Sequence, residues 1–241
     1  MYIIRHPLIA AGLGIGLYTV ASTASAQAFD AVRLYGAARD TDGGTVGLAA
    51  IAARRYQGSD ERRYMVLPLL DYQWRSGWFA GTSNGIGFNF SSRPDMSYGL
   101  RATVDLGRKE NRSAALAGLG DIDPRPELGG FFNYGIGRDI VLASSLRYGA
   151  GNDRKGMLLD LGAVYLINLA PQWRFGLGGA GTYANAEYTQ TYFGIDSAQS
   201  LNSGYAPYSP GSGIRDVRAN VSLSYQLNPK VTLTSALSAV S

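Results

Sequence analysis

The chain has 241 residues, of which 46% are hydrophobic and 17% charged, with 32 Gly, 16 Tyr, no Cys, a single His and a formal net charge of +4. That length holds one domain, or two at most, and charge this sparse with this much Gly and Tyr does not suit a helical bundle. No apolar run beyond the N-terminus approaches the roughly 18 residues of a membrane-spanning helix, so a polytopic helical membrane protein is also excluded.

Residues 1–26 have the layout of a secretory signal peptide. Arg5 and the lone His6 come first, then an apolar run from Leu8 to Ala21, then the small residues Ala24-Ser25-Ala26 before Gln27. Cleavage is expected between Ala26 and Gln27, with an N-terminal membrane anchor as the alternative. Residues 27–43 read as an N-terminal extension and 44–241 as one β domain. With the leader gone, neither His nor Cys remains. That removes imidazole bases, thiolate nucleophiles and the usual zinc, copper and haem ligands, so no cofactor is expected. A carboxylate pair still permits acid/base chemistry, or a hard cation.

From Gly44 onward the apolar residues recur with period two. Between Tyr98 and Leu106 one face carries Tyr98, Leu100, Ala102, Val104 and Leu106, and the other Gly99, Arg101, Thr103 and Asp105. Val217–Gln226 repeats the pattern. Similar stretches are 45–54, 64–74, 78–90, 128–137, 140–148, 156–167, 173–184 and 230–239, which gives about ten strands, with ten to twelve as the expected range. Gly137-Arg138-Asp139 and Leu227-Asn228-Pro229-Lys230 read as hairpin turns. Gly118–Glu127 and 194–213 read as longer loops.

Alternation alone fits both a soluble secreted β-sandwich and a transmembrane barrel. Two features favour the barrel. Aromatic residues gather near segment ends, at Tyr64, Trp74, Trp78, Phe90, Tyr98, Tyr148, Tyr165, Trp173 and Tyr225, as in the girdles at membrane interfaces. The opposite face sets Arg101, Asp105, Arg147, Asp160, Arg174 and Arg218 among small polar residues, which suits a barrel interior. A mean hydropathy of −0.06 is then the average of a lipid face and a lumen face. The expected fold is an all-β, antiparallel transmembrane barrel.

Specific residues carry a family resemblance. Tyr56-Gln57-Gly58-Ser59-Asp60 with Leu67-Pro68, Gly107-Arg108, Gly118-Leu119-Gly120-Asp121-Ile122 and Glu127, Gly129, Phe131 and Tyr134 come in order along the chain. Tyr192-Phe193-Gly194-Ile195 and Gly213-Ile214 with Asp216-Val217 complete the series. Together they make the chain resemble the MipA/OmpV family of Gram-negative outer-membrane proteins. The resemblance implies a non-enzymatic barrel in the outer membrane, in contact with its lipid and lipopolysaccharide. It also implies a scaffold linked to murein growth, with a lytic transglycosylase and a peptidoglycan synthase as partners. Family members usually end on an aromatic residue after one or two further strands, whereas this sequence stops at Ser241. A truncated reading frame and a barrel with fewer strands are the two expectations.

Arg54, Arg55, Arg62 and Arg63 flank the turn containing Tyr56, Gly58, Ser59 and Asp60. Their guanidinium forks suit phosphate groups of lipopolysaccharide, or a murein or protein partner; the plain alternative is a solvated loop paired locally with Asp60 and Glu61. The inward ionisable residues are expected to fill a small barrel with paired side chains. A small-solute pore favouring anions is the alternative function. Asp121, Asp123 and Glu127 read as turn chemistry rather than a calcium site. The glycine-rich 176–181 stretch lies in a strand with no helix after it, so a nucleotide loop is excluded. Arginines spread along the chain give no nucleic-acid footprint.

Overall fold

A computed structural model describes residues 42–54 and 62–240. Eleven strands close into one barrel: β1 (Gly43–Arg54), β2 (Arg62–Gln73), β3 (Trp78–Gly81), β4 (Gly85–Asn89), β5 (Met96–Asp105), β6 (Arg125–Ile136), β7 (Ile140–Ala150), β8 (Gly156–Ala170), β9 (Trp173–Ala184), β10 (Gly213–Asn228) and β11 (Val231–Val240). Each pairs antiparallel with its chain neighbours. The ring shuts through a parallel pair of β1 with β11, in register from Gly44↔Val231 to Ala52↔Ala239. An even count would have closed antiparallel; with eleven, the first and last strands run the same way, and a parallel ladder is the only closure available.

The alternation seen in the sequence sorts side chains by polarity, with the polar set inside. On β5, Leu100 is 61% exposed while Arg101 next to it is 8% exposed. Val66, Leu128, Leu146, Leu161, Val217 and Leu237 stand outward in the same way, and Ser97, Thr103, Ser145, Thr182, Asn220 and Ser238 point in and are buried. An exterior this apolar is unfavourable in water and suits hydrocarbon, where a closed sheet leaves no backbone donor or acceptor unpaired. Among the described residues no helix is long and apolar enough to cross a membrane.

The two ends differ. One holds short connections, at 74–77, 90–95, 137–139, 171–172 and 229–230, and the other holds the long ones, 106–124 and 185–212 among them. Turn chemistry explains the short ones. Gly137 takes φ 64° in the first residue of its turn, and the Asn228 side chain accepts from the Lys230 amide at 2.9 Å around Pro229. Outward aromatics concentrate at the short-turn end. Tyr72 meets Trp74 edge-on at 5.0 Å, Trp78 meets Phe88 at 5.3 Å, and Trp173 meets Tyr225 at 4.8 Å. Of the aromatics expected at segment ends, Tyr64 and Tyr148 instead mark the long-loop end.

Two expectations are corrected. The stretch 78–90, read as one strand, is a hairpin: Thr82-Ser83-Asn84 turns β3 into β4, with Gly85 at φ 73°. The outward phase is the same on both sides of the turn, at Trp78 and at Ile86 and Phe90, so periodicity joins the two arms into one segment. Because β3 and β4 are short, β2 meets β3 only from Asp71 to Gln73, and Pro68, which has no amide to donate, sits farther along that edge. The Thr82 hydroxyl finishes the ladder there, accepting from the Leu70 amide at 3.0 Å and donating to the Pro68 carbonyl at 3.1 Å. The loop at 194–213 contains a helix, and another precedes it: α1 (Ala186–Phe193) and α2 (Ser197–Ser203).

If the outward face lies in hydrocarbon, Leu100→Arg costs about 2–4 kcal/mol near the bilayer midplane. The check is urea unfolding in liposomes, followed by tryptophan emission, with Leu100→Ile expected to stay near wild type.

Candidate functional site

The polar face carries a continuous chain of ion pairs and hydrogen bonds along the barrel wall. The Thr103 hydroxyl of β5 donates to Glu127 of β6 at 3.0 Å, and Arg147 of β7 donates to the same carboxylate at 3.0 Å. Arg147 also donates through Nε and Nη2 to Asp160 of β8, at 3.1 and 3.0 Å. Asp160 accepts further from the Thr182 hydroxyl of β9 at 2.6 Å and from Arg218 of β10 at 3.1 Å. Asp216 holds Arg215 at 2.5 Å and faces Arg218 Nε at 3.5 Å. Each contact joins strands at most two apart, so these side chains lie along the wall. Arg147, Glu127 and Arg218 are buried, and burial of charge is tolerated here because charge alternates and each carboxylate accepts several donors.

The long-loop mouth is crossed by α1. Asn185 caps its first turn, accepting from the Tyr188 amide at 3.0 Å, and Asp196 with Gln199 forms a reciprocal capping box on α2. Tyr188 and Tyr192 stack at 4.4 Å, and Tyr188 is buried against Ala150, Leu158 and Ala184. From its place between β9 and β10, Tyr192 reaches β5, four strands around the ring, where its hydroxyl donates to Asp105 at 2.5 Å. Burial raises the Tyr192 hydroxyl well above the ordinary tyrosine range, and the neighbouring Tyr188 and Asp105 add to it, so the group remains a neutral donor. Asp105 also accepts from the amides of Gly107 and Gly151.

The loop between β5 and β6 meets this cover. Arg108 donates to the Tyr192 carbonyl at 2.7 Å, and Gln199 donates to the Leu119 carbonyl at 2.7 Å. Burial lowers the Arg108 pKa, with Asp121 and Glu110 nearby opposing the shift. On the rim of the same loop Lys109 bridges Asp121 and Asp123, at 2.9 and 3.2 Å. Asp121 is held below the usual carboxylate range by the Glu110 amide first and Lys109 second. Glu127, the third acid considered with them, points into the barrel at 1% exposure.

Of the inward residues expected from sequence, Arg101, Asp105, Arg147 and Arg218 are buried inside, and Asp160 points inside with its side chain 14% exposed. Arg101 donates to Ser145 at 2.6 Å and lies over the Phe131 ring. Arg174 shares the inward register but sits exposed at the short-turn mouth, where Asn168 accepts from it at 3.3 Å. It stays outside the network because its strand position is one residue from the hairpin. Within the basic loop, Arg54 ends β1 opposite Arg62 of β2 at the long-loop end, and Arg63 pairs with Ala53. Arg55, Tyr56, Gly58, Ser59 and Asp60 lie outside the described residues, as do Ala26 and Gln27. Sequence reasoning placed Glu127 with its loop neighbours, met Asp216 and Tyr192 only as motif residues, and did not single out Arg215 or Thr182. Glu127 and Thr182 share the inward register of strands already recognised, and Asp196-Ser-Ala-Gln199 is a capping-box signature for a helix in that loop.

A family model described as MltA-interacting protein MipA matches residues 46–241. The chain belongs to the MipA family. No curated protein and no solved structure matches it. The match runs from within β1 through β11 and includes α1 and α2, so the charged wall and its cover lie within the family domain.

Removing Asp160 leaves Arg147 with Glu127 alone and Arg218 with only the more distant Asp216, two guanidinium groups short of a buried carboxylate. Asp160→Ala is expected to cost about 3–5 kcal/mol, read as a lowered urea midpoint in detergent, with Asp123→Ala on the rim close to wild type.

Proposed function

We propose that this MipA-family chain is a non-catalytic barrel of a Gram-negative outer membrane, exported with cleavage between Ala26 and Gln27. In this reading it serves as a platform for enzymes of murein growth, a lytic transglycosylase and a peptidoglycan synthase. The observation that carries the reading is the match over residues 46–241 to a family named for interaction with MltA. An apolar exterior on a closed sheet supports the membrane setting, and the charged interior supports a barrel whose dealings with proteins use its ends.

The ends supply an orientation. Outer-membrane barrels keep short turns toward the periplasm and long loops outside. By that rule the enzymes meet the short-turn end, with Arg75, Arg138, Arg174 and Lys230 around it, and the arginines flanking 55–61 lie on the lipopolysaccharide side, where their forks suit phosphate.

Cell fractionation is expected to leave the protein in the outer-membrane pellet; recovery in the soluble periplasm overturns the membrane reading. Purified protein is expected to retain a lytic transglycosylase and a peptidoglycan synthase on beads. Arg138→Glu with Lys230→Glu should weaken that retention at least several-fold, while Arg54→Gln with Arg62→Gln leaves it unchanged. Retention of neither enzyme removes the platform role.

A further inference from the structure

We infer that the chain is a dimer in the membrane, two copies meeting through the flank made by β2 to β5 about an axis along the membrane normal. The inference rests on the reading of the chain as a membrane barrel, and is independent of the platform role.

The wall is low on this flank. β3 and β4 have four and five residues, whereas the shortest of the other strands, β5 and β11, have ten. About nine to eleven residues are needed to cross the hydrocarbon at a tilt, so β3 and β4 cover only the half next to the short turns. β3 meets β2 at 71–73 and β4 meets β5 at 99–102. Beyond them, the long-loop half of β2 and the tip of β5 face each other across three strand spacings, about 14 Å. The result is a notch in the wall.

Both edges of the notch present backbone groups. Leu70 meets Thr82 through its amide and its carbonyl, so the alternate positions Val66 and Tyr64 turn theirs toward the notch as well. On the other edge the Tyr98 carbonyl accepts from the Phe90 amide, and by the same alternation Val104 faces the notch. Among the described residues no strand pairs with Tyr64, Val66 or Val104 on that side. Their side chains stand outward, Val66 at 66% and Val104 at 54% exposure. Open sheet edges are not tolerated against lipid, whose chains offer neither donor nor acceptor, but they are where protein covers them. This flank therefore needs a protein neighbour.

The surface below the notch fits a second copy. Ring contacts join Tyr72 to Trp74, and Trp78 through Phe88 and Phe90 to Tyr98. Among the described residues the only other outward ring pair is Trp173 with Tyr225. Tyr72, Trp74, Trp78, Ile86, Phe90 and Tyr98 are 40–61% exposed. At about 150–250 Å² for a fully buried aromatic side chain, they and Leu100 offer on the order of 700 Å², near the ~800 Å² per partner of a stable interface. None of them is charged, so the patch meets its own copy without repulsion. Rotation about the membrane normal sets notch against notch, and each barrel screens the other's strand edges from lipid.

The test uses the absence of cysteine from the chain, which lets single substitutions report contact. In native membranes oxidised with copper phenanthroline, Ile86→Cys is expected to give mostly disulfide-linked dimer. Leu177→Cys, outward on β9 across the ring, should stay monomeric. In mild detergent Ile86→Arg, with insertion checked by protease protection, should raise the dissociation constant of the dimer at least tenfold, while Leu177→Arg leaves it unchanged. Protein that sediments with the membrane, is monomeric in detergent and cross-links at neither Ile86→Cys nor Leu100→Cys overturns the dimer. So does a dimer that cross-links at Leu177→Cys instead, or capture of a different protein by Ile86→Cys. A disulfide within one chain, between Val66→Cys and a second cysteine placed in 27–41, gives the notch to the chain's own N-terminal segment and also overturns it. Recovery of every form in the soluble fraction overturns the membrane reading and the dimer together.

Discussion

Backbone hydrogen bonding in a closed ring is the constraint from which the other features follow. A strand facing hydrocarbon has no water for its amides and carbonyls, so each must meet another strand on both sides. Eleven strands in simple up-and-down order bring β1 and β11 together pointing the same way, and the ring shuts through a parallel ladder. Small residues line the seam. An ideal Cβ on Gly47 would lie 1.9 Å from the Thr234 carbonyl oxygen, so that close approach admits only glycine. Closure also fixes which side chains see the interior, because a slip by one residue would exchange the two faces of a strand.

Once the faces are fixed, the interior has to accept charge without water enough to screen it. The arrangement found is a row in which acid and base alternate: Glu127 of β6, Arg147 of β7, Asp160 of β8, then Arg218, Asp216 and Arg215, all on β10. Asp160 is the centre, since two guanidinium groups and the Thr182 hydroxyl converge on it. A buried pair of this kind adds little net stability over an apolar one, but losing a single member is costly. With Thr103 of β5 and Thr182 of β9 at its carboxylates, the row ties the six strands β5 to β10 to one register.

Much of this was legible in the sequence. Period-two alternation located ten segments, and nine of them are single strands whose bounds differ by a few residues. It failed at 78–90, where the turn Thr82-Ser83-Asn84 leaves the outward residues of both arms, Trp78 and Ile86, in the same phase. Five of the six expected interior ionisable residues point into the interior away from its mouth, four of them fully buried, since register alone decides inward or outward. Partnership was not legible, because Glu127 was read with its loop neighbours Asp121 and Asp123, while the fold gives it to Arg147 across the β6–β7 ladder. The Tyr192 contact with Asp105 joins positions 87 residues apart, and nothing local marks it. The two helices were hidden by composition: a Ser, Gly, Pro and Tyr-rich loop offers no apolar stripe, and only the caps at Asn185 and Asp196 betray them.

The wall and the cover are built from different interactions, and the difference bears on which part can move. In the wall, every ion-paired side chain stands on a strand held on both sides by a ladder of backbone bonds, so breaking one contact frees no strand. The cover has no such ladder: its helices are short, and beyond its aromatic packing it meets the rest of the chain through side chains, at Tyr192 to Asp105, Gln199 to the Leu119 carbonyl and Arg108 to the Tyr192 carbonyl. Tyr192 is where cover and wall meet: its neutral hydroxyl joins the amides of Gly107 and Gly151 on Asp105, so that carboxylate is held by three donors.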